Sequence, residues 1–452
     1  MKKYIPIFIV CTLLLALFPI HTLAQTSGDY TYKLLPDGTA SITKYSGAGG
    51  DVVIPDTLDG YLVTEISDYS FRNTPLTSAI IPNSVIHIDH YAFFGCVNLT
   101  SVVIPDSVIK IGSWAFGYCI NLTKVAFPDS VTGIGLGAFY RSPWLENQTQ
   151  EFVIVGSGVL LAYNGGQEYV NIPEGVTYIC SNAFDKSKSF LKGVTIPEGV
   201  KTIEFWTFYD YSSLMSIAIP DSVTEIGREA FLHTPWLASQ TQDFVIVGEG
   251  VLVEYKGRDT DVVIPDGVTY ISDAFVAKKH ITNVTIPDGV KAIGVLAFYG
   301  CGSLTRVTIP GSIIGIESAA FDDCRNLAEV YFLGARPAQV HEEAFFIPYL
   351  GRSVPTLYYP AELAASWAPN GETTWKSCPI KPFTEKRGDA NCDNQITAAD
   401  AAAILRHLVR LETLSAPGLK NALVTNTSGN TEVSATDAAK ILRYLVRLEK
   451  TL

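Results

Sequence analysis

Across most of the chain the apolar residues recur in one arrangement, as in "LTSVVIPDSVIKIGSWAFGYCIN" from Leu99 and "LTKVAFPDSVTGIGLGAFYRSPW" from Leu122. Pro55, Pro82, Pro105, Pro128, Pro173, Pro197, Pro220, Pro265, Pro287 and Pro310 hold the same place in this pattern, and Leu333 takes it at the end. Most intervals are 22 to 24 residues and two are 45. Within one unit the spacing turns Leu99, Val102 and Ile104 inward on a short strand, which Pro105 ends because proline has no amide hydrogen for the ladder. Val108, Ile111, Ala115 and Phe116 add inward anchors, with Gly112 permitting a turn. No single unit can bury this face, so neighbours must stack. The pattern predicts an α/β repeat solenoid with a parallel sheet on one face.

Both long intervals carry the same insert, "WLENQTQEFVIVGSGVLLAYNG" from Trp144 and "WLASQTQDFVIVGEGVLVEYKG" from Trp236, 92 residues apart. These alternating segments around a glycine-rich tip predict β-hairpins projecting from the stack. The 92-residue spacing is four units of 23, which points to duplication of a larger block. The pattern LxxVxIPxSVxxIGxxAFxxCxxL resembles the BspA-like bacterial surface leucine-rich repeats over Thr31 to Phe383. Within that resemblance, "YKLLPDGTASITKYSGAGGDVVIPDTLDGYLVTEI" is similar to the N-terminal cap, and "VYFLGARPAQVHEEAF" with "LYYPAELAASW" to the C-terminal one. The resemblance implies binding, adhesion or display, and no common catalytic residue.

The outward positions of the expected sheet run from Ser78/Ile80 and Ser101/Val103 through Gly193/Thr195 to Arg306/Thr308 and Glu329/Tyr331. They are mostly small, polar or β-branched, and only Tyr169 and Tyr331 are aromatic. A row of aromatics, as a polysaccharide platform would want, is not present there. The histidines are scattered, no HExxH or G-x-S-x-G occurs, and the recurring Trp114/Trp206 and Trp144/Trp236 fit duplicated packing residues. The expectation is that the chain is not an enzyme.

The chain begins "MKKYIPIFIVCTLLLALFPIHTLAQ", two lysines and an apolar run ending in Ala24 before Gln25, which reads as a secretory signal over residues 1–24. An uncleaved anchor is the alternative, weakened by Pro6 and Pro19. The expectation is a secreted, extracellular protein with no membrane association after cleavage. The formal charge is −12, and without Lys2 and Lys3 it becomes 31 − 45 = −14. Such an acidic balance argues against nucleic acid and favours cations held by oxygen. Seven cysteines remain after cleavage; Cys96/Cys119 and Cys301/Cys324 each lie 23 apart, at a repeat position. Buried thiols are expected rather than a disulfide scaffold.

After residues 384–387, the end of the polar stretch "KPFTEKR", the periodicity changes. In "GDANCDNQITAAD", Asp389, Asn391, Asp393, Gln395 (through its carbonyl) and Asp400 are spaced so that a tight loop wraps oxygens round Ca²⁺. The loop recurs with Asn426, Ser428, Asn430, Glu432 (carbonyl), Ser434 and Asp437, where Asp437 brings the one ligating carboxylate against three in the first. Each is followed by nearly the same amphipathic helix; Thr397–Glu412 and Ser434–Glu449 share 12 of 16 residues. This duplicated loop–helix pair, residues 388–452, resembles a type I dockerin, a small all-α Ca²⁺-binding module. The resemblance implies a cohesin domain on a scaffoldin as partner. It places contacts on Ala398, Ala399, Ala435 and Thr436 and on the basic Arg406, Arg410, Arg443 and Arg447. Because the two stripes nearly match, a cohesin could bind either way round. Cys392 stands where dockerins have Gly. Strong Ca²⁺ binding is expected at the first loop and weak or no binding at the second.

Taken together, residues 25–383 are expected to form the repeat solenoid and 388–452 the tether of a non-catalytic component of a cellulosome-like extracellular complex. The alternative is a surface adhesin whose repeats bind host or bacterial proteins or glycans, with the tether serving only for display.

Overall fold

The computed structural model describes residues 24–345 and 354–383. They divide, between Ser216 and Ile217, into two compact units, and both are built from the same coil.

In the first unit an antiparallel meander, Gln25–Ser27, Tyr30–Leu34 and Ala40–Tyr45, starts the stack. From there the pairing is parallel and advances one coil at a time. One ladder joins Gly50–Val53, Leu76–Ile80, Ser101–Val103 and Lys124–Ala126, with Val52, Ala79, Val102 and Val125 in register. A second joins Tyr61–Ile66, His87–Ile88, Lys110–Ile111 and Gly133–Ile134. Each coil therefore contributes two strands, and the expectation of a sheet on one face is corrected to two ladders. The second strand is two residues long, too short for periodicity to reveal.

A hydrogen-bonded series of turns closes the coil: Tyr91 donates to Ser113 (2.9 Å), Phe93 to Ala115 (2.7 Å) and Gly95 to Gly117 (2.8 Å). Tyr69, Tyr91 and Trp114 hold left-handed backbone at the same place in successive turns, with φ near +60°. Gly112, one strand end away, does not; its role is close approach, since a Cβ there would sit 2.5 Å from the Asp89 carbonyl carbon of the coil before. The α/β expectation is likewise corrected. The α-helices among the described residues are Pro143–Glu146, Pro235–Ser239 and Ala364–Trp367, because a coil of about 23 residues carrying two strands has room only for turns.

Inside, the repeated phenylalanines form a stack: Phe71, Phe93, Phe116 and Phe139 lie 4.9, 5.1 and 5.3 Å apart, nearly parallel. Among the described residues the cysteines, Cys96, Cys119, Cys180, Cys301, Cys324 and Cys378, are buried and free, as expected. At the repeat position the thiol donates to the phenylalanine carbonyl of the preceding coil, Cys96 to Phe71 at 3.1 Å and Cys119 to Phe93 at 3.2 Å.

The second unit repeats the scheme. One ladder runs through Asp261–Val263, Asn283–Thr285, Arg306–Ile309, Glu329–Phe332, Thr356–Pro360 and Cys378–Phe383. Phe275, Phe298, Phe321 and Phe345 form its ring stack. Trp367 and Trp375 close its end against Phe332, with the Trp367 indole donating to the Gly334 carbonyl at 3.0 Å.

Both inserts are hairpins, Phe152–Val155 with Val159–Tyr163 and Phe244–Val247 with Val251–Tyr255. They do not simply project. The returning strand takes a rung of the stack, Val159 and Leu160 pairing in parallel with Tyr178 and Ile179, and Val251 and Leu252 with Tyr270 and Ile271. The reason is its apolar face: Val159, Leu160 and Tyr163 are buried, as are Val251, Leu252 and Tyr255.

Candidate functional site

The three-residue strands of each unit present their alternate side chains outward, as expected from the pattern. In the first unit this makes two columns. Val53, Ile80, Val103 and Ala126 stand in register as an exposed apolar column, the first three each more than half exposed. Beside it Asp51, Ser78, Ser101 and Lys124 form a polar one. The Thr77 and Ser78 hydroxyls each donate to the same Asp51 carboxylate oxygen at 2.7 Å, and these bonds hold that carboxyl below its ordinary range. An apolar column flanked by hydrogen-bonding groups is the composition of a protein-contact surface.

In the second unit the polar column is Asp261, Asn283, Arg306 and Glu329. Asn283 donates to Asp261 at 2.7 Å, and Arg306 forks onto one Glu329 oxygen at 2.9 and 2.6 Å. The guanidinium also lies over the Tyr331 ring at 5.3 Å. Tyr331 stacks on Tyr358 at 4.7 Å and meets the edge of Phe383 at 5.6 Å. Burial, with the nearby Glu329 charge, pushes the Tyr358 hydroxyl up, so it remains a hydrogen-bond donor at neutral pH. The result is a half-buried aromatic and ionic patch, in which guanidinium stacking adds about 0.5–1 kcal/mol at such exposure.

Sequence reasoning identified Tyr331 but missed Tyr358 and Phe383. They belong to the closing strands, which fit no repeat template; the alternation in "TLYYP" and "PIKPF" is the signal that would have found them. Of the other expected outward positions, Gly193 and Thr308 are buried. Gly193 is covered by Tyr169, whose ring a Cβ there would meet at 2.7 Å.

The Ca²⁺ ligands predicted from Asp389 to Asp400 and from Asn426 to Asp437 lie outside the described residues. So do the residues expected to contact a cohesin, Ala398, Ala399, Arg406, Arg410, Ala435, Thr436, Arg443 and Arg447, and residues 1–23 of the signal segment expected over 1–24.

The repeats match the family described as BspA type leucine rich repeat region, in six copies, over residues 64–154, 161–242 and 255–346. These spans cover more than half of the sequence, and the chain belongs to that family. Leucine-rich repeat proteins of this kind are in general non-catalytic, protein-binding proteins of the cell surface or the exterior.

Among solved structures, a leucine rich cell surface protein of Faecalibacterium prausnitzii is 28% identical and covers 80% of this chain and 94% of its own, at a TM-score of 0.31. The T. pallidum leucine rich repeat protein is 27% identical over 45% of this chain and 86% of its own, at 0.29. A leucine-rich repeat protein of Bacteroides capillosus is 31% identical over 27% of this chain and 93% of its own, at 0.25. Comparison with curated proteins found no match.

Proposed function

We propose that this protein is an exported, non-catalytic binding component whose repeats hold a protein ligand on their outward sheet and whose residues 388–452 tether it, as a type I dockerin, to a cohesin of a scaffoldin. What supports the tether is a duplicated sequence, 12 residues of 16 identical between Thr397–Glu412 and Ser434–Glu449, each preceded by oxygen-bearing side chains at Ca²⁺-loop spacing. The donor set of the first loop suits a hard cation. Asp389, Asp393 and Asp400 supply carboxylates, Asn391 an amide oxygen and Gln395 its carbonyl. Ca²⁺ bound there would order the loop; the second set, with Asp437 as its one carboxylate, would hold the ion less tightly.

Capture of a cohesin-bearing scaffoldin by the full chain, with and without EGTA, tests the tether. Retention in Ca²⁺ and release in EGTA is the expected result. Indifference to EGTA, or no retention, overturns it.

A second reading, in which the repeats act as an adhesin and the tether only displays them, is favoured by the apolar column Val53, Ile80, Val103 and Ala126. The full chain in EGTA, applied to surface-protein and glycan arrays, tests it. Binding abolished by Val103→Glu with Ile80→Glu supports the adhesin reading, and binding insensitive to both changes refutes it.

A further inference from the structure

Both hairpins enter the stack at the same point of the duplicated block, and the two junctions are built differently. In the first unit the series of turn hydrogen bonds ends where Trp114, Phe116 and Tyr118 donate to Leu136, Ala138 and Tyr140. Beyond that coil lies a cavity of about 330 Å³. Ala138, Phe139 and Tyr140 form one wall, and Leu161, Ala162 and Ala183 the other. On this lining sits Ser181, 3% exposed, and its hydroxyl has no hydrogen-bond partner.

In the second unit the matching junction retains about 20 Å³. There the coil after the hairpin is one residue shorter, Ile271 to Phe275 against Ile179 to Phe184. The Asp273 carboxylate accepts from the Glu229 amide at 2.9 Å, and the Ser272 hydroxyl donates to the Ile226 carbonyl at 2.8 Å. Glu229 stands at the position of Gly137, and Glu254 at that of Ala162. The second copy is thus bonded shut through Ser272 and Asp273. The first is held open, and it leaves a buried hydroxyl unpaired, which is unfavourable.

We propose that the cavity of the first unit is a binding site for an aromatic ring bearing one hydrogen-bonding atom, of phenol or indole type. Ala138, Phe139, Leu161 and Ala162 offer a ring apolar and aromatic surface; of the polar side chains that complete the lining, Asn182 donates to Asp185 at 2.5 Å and Lys186 to Asn164 at 2.7 Å, whereas the buried Ser181 hydroxyl has no partner and can donate or accept. The volume lies at the lower end of small-molecule pockets, about 300–1,000 Å³. The ring could arrive as a free compound or as a tyrosine or tryptophan side chain of a protein. The site is independent of the tether.

The test titrates the full chain with p-cresol and indole as free rings, with N-acetyl-tyrosinamide and N-acetyl-tryptophanamide as chain-borne ones, and with toluene as a ring lacking the polar atom. Isothermal calorimetry and saturation-transfer NMR read the binding. One site per chain is expected. Ser181→Ala should weaken p-cresol about tenfold, the loss of a single hydrogen bond of about 1.4 kcal/mol, and leave toluene unchanged. Ala162→Trp should abolish both without moving the thermal midpoint. Amides that bind at least as well as the free rings identify a side chain as the natural occupant, and amides excluded while p-cresol binds identify a small compound.

Absence of saturable binding for every probe, or binding untouched by Ala162→Trp, overturns the proposal. If Ala162→Trp fails to fold, 4-bromophenol soaked into crystals decides. Bromine signal between Ala138 and Ala162 supports the site, and its absence there refutes it.

Discussion

The ring stack of the second unit offers a quantitative test of how the coils are held together. Phe298 is fully buried, with Phe275 4.9 Å to one side at 8° and Phe321 5.1 Å to the other at 1°. Truncating it to alanine removes the transfer free energy of a buried phenylalanine, about 1.5–3 kcal/mol. It also deletes two aromatic pairs worth about 0.5–1.5 kcal/mol each beyond their area. The neighbouring coils are fixed by their own ladders and cannot collapse into the space, so Phe298→Ala is expected near the upper end of the usual range, about 4–5 kcal/mol. Because each coil touches only its neighbours, the loss should also weaken the coupling between the coils on either side. Urea unfolding followed by tryptophan fluorescence reports it, since Trp367 and Trp375 are buried at the end of the same unit. The midpoint should fall and the transition broaden. Val263→Ala, on the outward face and 52% exposed, serves as control and should change stability by less than about 0.5 kcal/mol. If Phe298→Ala cost no more than about 1.5 kcal/mol, or no more than the control, the stack would not be what holds the coils.

Gly112→Ala should destabilise by about 1–3 kcal/mol through overpacking, because its Cβ would meet the Asp89 carbonyl carbon at 2.5 Å, whereas Gly166→Ala, with nothing within 4 Å, should be neutral; equal melting temperatures for the two would refute the close-approach reading. Burial, with the charges of Glu65 and Asp68 and against that of Lys33, pushes the Asp89 carboxyl up to about 7. The folded state therefore holds this proton more tightly than the unfolded chain, and stability present at low pH is lost as pH rises through about 7. Asp89→Asn should melt above the parent at about pH 8, and the difference should shrink as pH falls and vanish only below about pH 4, where the unfolded carboxyl is protonated too; a difference constant between about pH 8 and pH 4 would count against the shift. Burial pushes the Cys301 thiol up to about 12, so it should resist a thiol reagent at neutral pH until the chain unfolds, and rapid labelling of the native protein would contradict the buried assignment. For the tether, Asp389→Ala or Asp400→Ala should remove most Ca²⁺-dependent stabilisation while Asn426→Ala changes little; two equally tight sites by calorimetry would refute the asymmetry drawn from ligand charge.

The stacked coil, its inward residues and the places of the hairpins were legible in the sequence because a repeat displays the same burial constraint many times. Leu99, Val102, Ile104, Val108, Ile111, Ala115 and Phe116 are all buried as the spacing requires. One copy would have been ambiguous; ten share a single solution. What the sequence did not disclose depends on neighbours that are distant along the chain. Lys110–Ile111 is too short to show alternation and becomes a strand only through parallel pairing with the coils on either side. Gly112 carries no positive φ to betray it; the need for glycine comes from the Asp89 backbone of the preceding coil. Tyr358 and Phe383 join Tyr331 because closing strands outside the repeat pattern continue its ladder. The contrast between the two junctions is the sharpest case. The inserts share 15 of 22 residues, yet one residue fewer after the second, with a carboxylate at Asp273 that reaches the Glu229 amide, closes it, while Ser181 is left unpaired beside the open one. Periodicity specifies which residues face inward; whether two coils meet or leave a gap is decided by hydrogen bonds formed only once the chain has stacked.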